Sequence, residues 1–597
     1  MEIKQKKRSE IADEFKWHLN NLCESDEKWK ESYAGLGERI GVFESFKGRL
    51  GDAGPLLECL EATRNMGEEL GRLYAYAVMK MHEDTGLSEY QGFADMANTL
   101  YIKFSSATAF IEPEIIANAD LIKNLPDTAE GFGLYKHYLE NLLRQKDHVL
   151  SAEIEEILAN AEEIGKAPDI IFTMLNDADM KFGTIKDEEG NDVEMTHGRF
   201  ISLMESRDRR VREEAFNTYY DSFWKQKNTI AVALSSSVKK DIFFSKTRKF
   251  PRALDSALFG YNIPGDVYMR LIDAVNSYLP EMHRYMRLRK KALGLDELHM
   301  YDIYTPIVPP VDTKVSYEEA KKKMLEGLAP LGGEYVSVAG AGLENGWIDV
   351  YENEGKLSGA YSWGSHGCHP FILMNYNNKV DDMFTLAHEM GHAMHSYYSY
   401  ENQPNIYSGY PIFLAEVAST VNEILLMEYL LAETKDPAMN AYLINETLEQ
   451  FRCTVFRQTM FAEFEMITHD MAEKGEPLTV DELNKIYREL NIKYYGPDMV
   501  IDEKIDLEWG RIPHFYNAFY VYQYATGYSA AVAFADHILK DKTGEAVKLY
   551  IDFLKSGGSD YAINILKKAG VDMSQPAPVE DALSVFKELL GKMEGLI

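Results

Sequence analysis

Apolar residues recur at three-to-four spacing along most of this chain. That rhythm, more than any other feature, limits the fold to a mainly helical one. Ser9 stands where it would cap a first helix carrying Ile11, Phe15, Leu19 and Leu22. Gly71 to Met81 and Leu139 to Ala159 repeat the pattern. In FGTIKDEEGNDVEMTHGRF (182–200) the rhythm changes, because short alternating runs flank an EGND turn and predict a β-hairpin. The hairpin marks a boundary between an N-terminal helical region, 1–198, and a second region, 199–597. The loop YTPIVPPVDTK (304–314) cannot continue a helix. From 332 to 377, glycine, tyrosine and β-branched residues predict a few short strands joined by glycine turns. Helices resume at Asp381.

A chain of 597 residues outgrows one compact core, so two or more structural units are expected. Acidic residues outnumber basic ones 95 to 63, for a formal charge of -32. Such a surface repels nucleic-acid phosphates and anionic membranes, so neither is expected as a partner, and cationic peptides are favoured over anionic ones. The basic run Lys246, Arg248, Lys249 and Arg252 reads as a solvated or charge-paired face. Cys23, Cys59, Cys368 and Cys453 lie far apart without CxxC spacing, as free thiols in a reducing cytosol do. The basic N-terminus lacks the apolar core of a leader, and no run approaches the ~18 apolar residues of a membrane span. The expectation is a soluble, cytoplasmic protein.

TLAHEMGHAMHSYY (385–398) carries His388 and His392 four residues apart. On a helix they lie within roughly 40° of one another, so both imidazoles can reach one zinc ion. Asp381 and Asp382 stand where N-capping acids are favoured, and Met383, Leu386, Met390 and Met394 supply a buried stripe. Glu389 projects beside the pair, where a carboxylate can act as general base toward water acidified by the metal. Catalytic zinc takes three protein ligands and keeps one position open. His395, three residues further along the same rigid helix, would strain that geometry. It is left as a neighbour facing the pocket wall or a hydrogen-bond partner.

The third ligand is sought in PIFLAEVASTVNEILLMEYLL (411–431), an apolar helix interrupted by Glu416 and Glu423. Acids there are costly unless they meet a cation. Enough chain separates Glu416 from His392 to return antiparallel. Glu423, two turns on, suits a hydrogen bond to a ligand imidazole. Downstream, WGRIPHFYNAFYVYQYATGYSAA (509–531) holds His514 with Tyr516, Tyr520, Tyr522, Tyr524 and Tyr528. Histidine and tyrosine both donate the hydrogen bonds that an oxyanion needs. An aromatic stripe more often serves core packing, yet buried tyrosine hydroxyls need partners, so packing and a polar cleft both stay open. His366, Cys368 and His369 read as a flexible loop without metal.

Together, HEMGH, the FLAEVAST–NE helix and IPHFYNAFYVYQYATG closely resemble oligoendopeptidase F, a bacterial branch of the thimet-oligopeptidase-like zinc peptidases. The resemblance covers most of the chain, from about residue 110 to the end. It implies a mainly α, two-lobed helical ellipsoid with a deep central channel and a small β-sheet next to the active-site helix. Such a channel admits unstructured oligopeptides and excludes folded proteins. The resemblance further implies His388, His392 and Glu416 as ligands of one Zn2+ per chain, and Glu389 as general base. His514 and Tyr522 resemble the residues that steady the substrate carbonyl and its oxyanion, with Tyr516 and Tyr520 as substrate-binding neighbours. GAYSWGSHGCHP (359–370) resembles the loop and edge strand beside the substrate backbone. The expected activity is zinc-dependent hydrolysis of internal peptide bonds in short oligopeptides. A zinc carboxypeptidase of similar helical architecture and a zinc-free peptide-binding module are the alternatives.

Overall fold

A computed structural model describes residues 5–309 and 313–597. Helices dominate, and every strand among the described residues is two or three residues long. The mainly α reading of the apolar rhythm is therefore what the chain builds. The elements used below are strands β1 (Thr184–Lys186), β2 (Asp192–Glu194), β3 (Ile348–Asp349), β4 (Tyr361–Trp363) and β5 (Phe371–Leu373). The helices are α1 (Ala53–Glu83), α2 (Arg209–Thr247), α3 (Val380–Asn402), α4 (Ile412–Glu433), α5 (Arg457–Glu473) and α6 (Tyr522–Lys540). Two compact units are each assembled from three stretches. Met1–Asp147, Thr313–Ala432 and Phe534–Val571 form the first; His148–Asp312, Glu433–Ala533 and Asp572–Ile597 form the second.

In the first unit, α1 buries Leu56, Leu60, Leu70, Leu73 and Ala77 along one face. The carbonyl of Leu73 accepts from the buried Trp29 indole at 2.8 Å. Helix α3 begins where the Asp382 carboxylate accepts from the backbone N–H groups of Asn377 and Lys379, each at 2.8 Å. It buries Met383, Leu386, Met390 and Met394, the stripe expected from their spacing. The small sheet has β5 at its centre, parallel to β3 and antiparallel to β4. Strand β4 is left at the edge. The window expected to form strands also contains a helix, Gly333–Glu344, in which Tyr335, Ala339 and Leu343 share one buried face.

The first predicted helix does not form. Residues from Arg8 to Asn21 make three single 3-10 turns, and the first α-helix starts at Asp26 with Ser25 capping it. Ile11, Leu19 and Leu22 are buried all the same. Their backbone instead bonds across to the approach to the small sheet: His18 N–H to the Gly346 carbonyl at 2.7 Å, and Val350 N–H to the Phe15 carbonyl at 3.0 Å. A helix this short offsets the cost of its nucleus with few bonds, so tertiary partners win. The Leu139–Ala159 pattern is likewise split, into Lys136–Leu143 and Ala152–Gly165. Between them the Leu150 N–H donates to Glu155 at 2.9 Å.

In the second unit, β1 and β2 pair antiparallel with Thr184 opposite Glu194, which is the expected hairpin. Helix α2 buries Phe216, Tyr219, Tyr220 and Phe223, and its Arg212 meets the buried Asp302 at 2.7 Å. The basic run at its end is charge-paired through Arg248–Glu155 and Arg252–Asp255, both at 2.8 Å. On α5, Phe461 and Phe464 pack on Phe515 with ring centroids 5.4 and 5.1 Å away, seating the turn that carries His514. Residues 304–309 are not helical, as their prolines require, and 310–312 of that loop lie outside the described residues. The four cysteines are free, and no described helix is long and apolar enough to cross a membrane.

Candidate active site

The α3–α4 pair is built around a close backbone approach. A Cβ placed on Gly391 would lie 2.5 Å from Ser419 Cα and 2.6 Å from the Ala418 carbonyl oxygen, so only glycine fits at this crossing. Asn422 pins the approach by donating to the Ala387 carbonyl at 3.1 Å, and it accepts from the Tyr335 hydroxyl at 2.9 Å. Gly391 was not among the residues expected to matter. A glycine inside an otherwise helical pattern was its one signal.

At this crossing three side chains converge. The Nε2 atoms of His388 and His392 are 3.1 Å apart. Glu416 Oε2 is 3.5 Å from the first and 3.6 Å from the second. Three ligands about 2.0–2.1 Å from a tetrahedral zinc stand about 3.4 Å from one another, so the triangle has the size that ion requires.

Its chemistry points the same way. His388 Nδ1 is 2.6 Å from Glu423 Oε1, a carboxylate that can only accept, so the proton sits on Nδ1 and Nε2 presents a lone pair. His392 is held by a backbone hydrogen bond at Ala415, which leaves its own Nε2 equally bare. Two imidazole lone pairs and a carboxylate oxygen with no donor among them repel one another unless a cation lies between. Burial pushes the His392 imidazolium down to about 3. At His388 burial acts in the same direction but is outweighed by the hydrogen bond and charge of Glu423, so its pKa rises.

Glu389 is buried beside the triangle, and its Oε2 has no hydrogen-bond partner among the described residues. Burial lifts its carboxyl to about 7, opposed by His388 and by the Ser362 backbone on β4, and reinforced by Glu416 and Glu423. His395 differs from expectation. It is fully buried, its ring stacks on Tyr410 with centroids 3.7 Å apart and lies 5.0 Å from Phe553, and neither nitrogen has a partner among the described residues. It faces an aromatic core rather than the pocket wall or a hydrogen-bond partner, because its position on α3 turns it away from His388 and His392. In the loop before α3, His366 Nε2 bonds the Gln403 carbonyl at 3.0 Å and His369 stacks on Trp347.

In the second unit, His514 sits on the turn Pro513–Tyr516. Its Nε2 is 3.4 Å from the Tyr524 hydroxyl, and its ring lies 6.0 Å from that of Tyr520. Burial and then the charge of Arg457 lower its pKa, favouring the neutral ring. Tyr520 and Tyr524 are half-buried, whereas Tyr522 is 1% exposed and packs on Tyr268 at 5.2 Å. Tyr516 is buried and stacks on Phe172 at 4.6 Å. Between them Phe519 takes φ +57°, a strained value for a large side chain. Its N–H donates to the buried Glu465 at 2.9 Å. Neither Phe519 nor Glu465 stands out in the sequence, since a positive φ at phenylalanine has no local signature.

Comparison with known proteins gives one answer along the chain. The model of Peptidase family M3 matches residues 202–585, and that of Oligopeptidase F matches 117–182. Oligopeptidase PepF of Bacillus subtilis is 50% identical over 592 residues, covering 99% of this chain and 88% of that protein. The crystal structure of oligoendopeptidase-F from Enterococcus faecium is 40% identical, with a TM-score of 0.74 over 96% of this chain and 99% of that one. A crystal structure from Chlamydophila abortus, 33% identical, has a TM-score of 0.95 with both chains fully covered.

Proposed function

The chain belongs to the oligoendopeptidase F group of peptidase family M3, and we propose on that premise that it is a zinc-dependent endopeptidase cutting internal bonds of short, unstructured oligopeptides. The observation that carries this reading is the His388–His392–Glu416 triangle, whose three acceptor atoms are spaced for one zinc ion and have no donor among them. When bound, zinc polarises the scissile carbonyl and acidifies water in the site. Glu389 takes the proton from the attacking water and passes it to the leaving amine. Glu423 orients His388 and raises its basicity as a ligand. Strand β4, at its sheet's edge, is the strand beside which an extended peptide adds. His514 donates toward the carbonyl oxygen as it gains charge. Tyr520 and Tyr524, the half-buried hydroxyls beside it, share that role in preference to Tyr522; Tyr516 supports the segment by packing. All these side chains fall within 199–597, to which we assign the chemistry. The four free cysteines suit a reducing cytoplasm.

The test is cleavage-site mapping on a mixture of peptides of graded length, blocked at both ends, with and without a chelator. Internal cuts in the shorter peptides, lost on chelation and restored by zinc, are expected. Blocked peptides left intact, with trimming only of the same peptides carrying a free C-terminus, would replace the reading with a carboxypeptidase. Cleavage indifferent to chelation would remove the metal from it.

A further inference from the structure

Glu465 on α5 is 2% exposed, and its carboxyl makes one hydrogen bond among the described residues. Oε1 accepts the Phe519 N–H at 2.9 Å, and Oε2 has no partner there. Burying a carboxyl for a single bond is unfavourable, and an apolar side chain would fill the same space without that penalty. The reason for an acid at this position lies in what the bond holds.

It holds the backbone at Phe519, whose φ of +57° persists in a large side chain only where the surroundings fix it. The Phe519 ring lies 4.5 Å from that of His469, one turn further along α5. On another side it lies 5.7 Å from Tyr268, whose hydroxyl donates to the Ala462 carbonyl at 2.7 Å. Before it, the Asn517 N–H closes a turn onto the His514 carbonyl at 2.9 Å; after it, the Tyr520 carbonyl accepts the Gln523 N–H at 3.2 Å. Tyr520 leaves this bracketed backbone with its ring 6.0 Å from His514, at 15° to it, and 5.5 Å from Tyr524.

A packed ring resists translation but leaves the peptide between Ala518 and Phe519 free to rotate, whereas a hydrogen bond to its N–H sets that rotation. Burial, with Asp241 reinforcing and the Phe519 N–H opposing, lifts the Glu465 carboxyl well above the usual carboxylate range. The group at work is then the neutral acid, of which glutamine is a near isostere. We propose that Glu465 is a positioning residue: through the Phe519 N–H it holds the left-handed backbone and thereby sets the Tyr520 hydroxyl beside His514. It touches no reacting atom and acts through Tyr520. Its consequence for turnover rests on the peptidase reading above, in which Tyr520 donates toward the oxyanion.

The experiment is a double-mutant cycle on the zinc-loaded protein, with kcat and KM for one blocked oligopeptide measured well below every melting midpoint. Glu465→Met should lower kcat about 10–10²-fold with KM changed by a few-fold at most, as a small misplacement of a donor does. Glu465→Gln should stay within about twofold of the wild type, since its amide oxygen accepts the same N–H. In the Tyr520→Phe protein, Glu465→Met should lower kcat by less than about threefold further, because the hydroxyl it positions is already gone. Glu465→Asp, which withdraws the carboxyl by one methylene, stands in if the methionine variant melts early and should show the same coupling. Losses that multiply in the double variant, wild-type turnover by Glu465→Met, or equal damage from Glu465→Gln each overturn the role. A second readout needs no turnover: the ring-carbon NMR signal of His514, identified by its loss in His514→Gln. It should move in Glu465→Met as the Tyr520 ring leaves its place, and stay put in Glu465→Gln; an unmoved signal in both overturns the clamp. Absence of cleavage by the wild type overturns the peptidase reading alone, and the His514 signal then decides the clamp.

Discussion

The α3–α4 crossing and the His514 segment carry chemistry-bearing side chains in different ways. At the crossing, the positions of the converging side chains follow from helix geometry: two histidines one turn apart share a face, and a glycine lets the opposing helix bring Glu416 within 3.6 Å. In WGRIPHFYNAFYVYQYATGYSAA the turn, the strained Phe519 and the start of α6 decide which tyrosines stay half-buried and which pack inside. One region is specified by period, the other by how an irregular backbone is held. Substitutions should therefore act locally and chemically in the first, and through backbone placement in the second.

The largest effect expected is that of Glu389→Gln. If this carboxylate is the base, kcat falls about 10²–10⁴-fold while zinc content by metal analysis stays at that of the wild type. Turnover near wild type with zinc bound would sink the mechanism. The next comparison is among tyrosines. Tyr520→Phe and Tyr524→Phe should lower kcat by up to about 10²-fold with a smaller change in KM, as loss of an oxyanion donor does. Tyr522→Phe should leave kcat within a few-fold. The opposite ranking would return the oxyanion role to Tyr522. Glu423→Gln should weaken zinc binding by about 10–100-fold in competition with a chelator, with kcat of the fully loaded protein changed less. Smallest in activity terms is Gly391→Ala, whose methyl must push Ser419 away at a cost of about 1–3 kcal/mol. Thermal melting of the metal-free protein reads that cost directly, and an unshifted midpoint would mean that the crossing tolerates a Cβ.

Much of the site was legible in residue types and spacing. Histidines at i and i+4 with an intervening glutamate, and two acids on an otherwise apolar helix, form a pattern that helix packing by itself does not call for. The structure brings His388, His392, Glu416 and Glu423 together. The hairpin, the β-rich window and the helices flanking it were equally legible, since each rests on local periodicity. What failed was non-local. The helix expected from Ser9 unravels into turns because its backbone finds partners near Gly346 and Val350, hundreds of residues away. His395 shares the motif with His388 and His392, yet one step of helical rotation turns it into the stack with Tyr410.

Periodicity and residue chemistry in the sequence thus determined the helical class, the His388–His392–Glu416 group proposed to hold zinc and the proposed base Glu389, because those depend on contacts within a few turns of chain. Tertiary structure alone decided which tyrosines flank His514, that Gly391 is the contact point of α3 with α4, and that Glu465 meets the Phe519 N–H. Each of these depends on side chains or backbone brought together from distant stretches, and no local pattern encodes the distance between them.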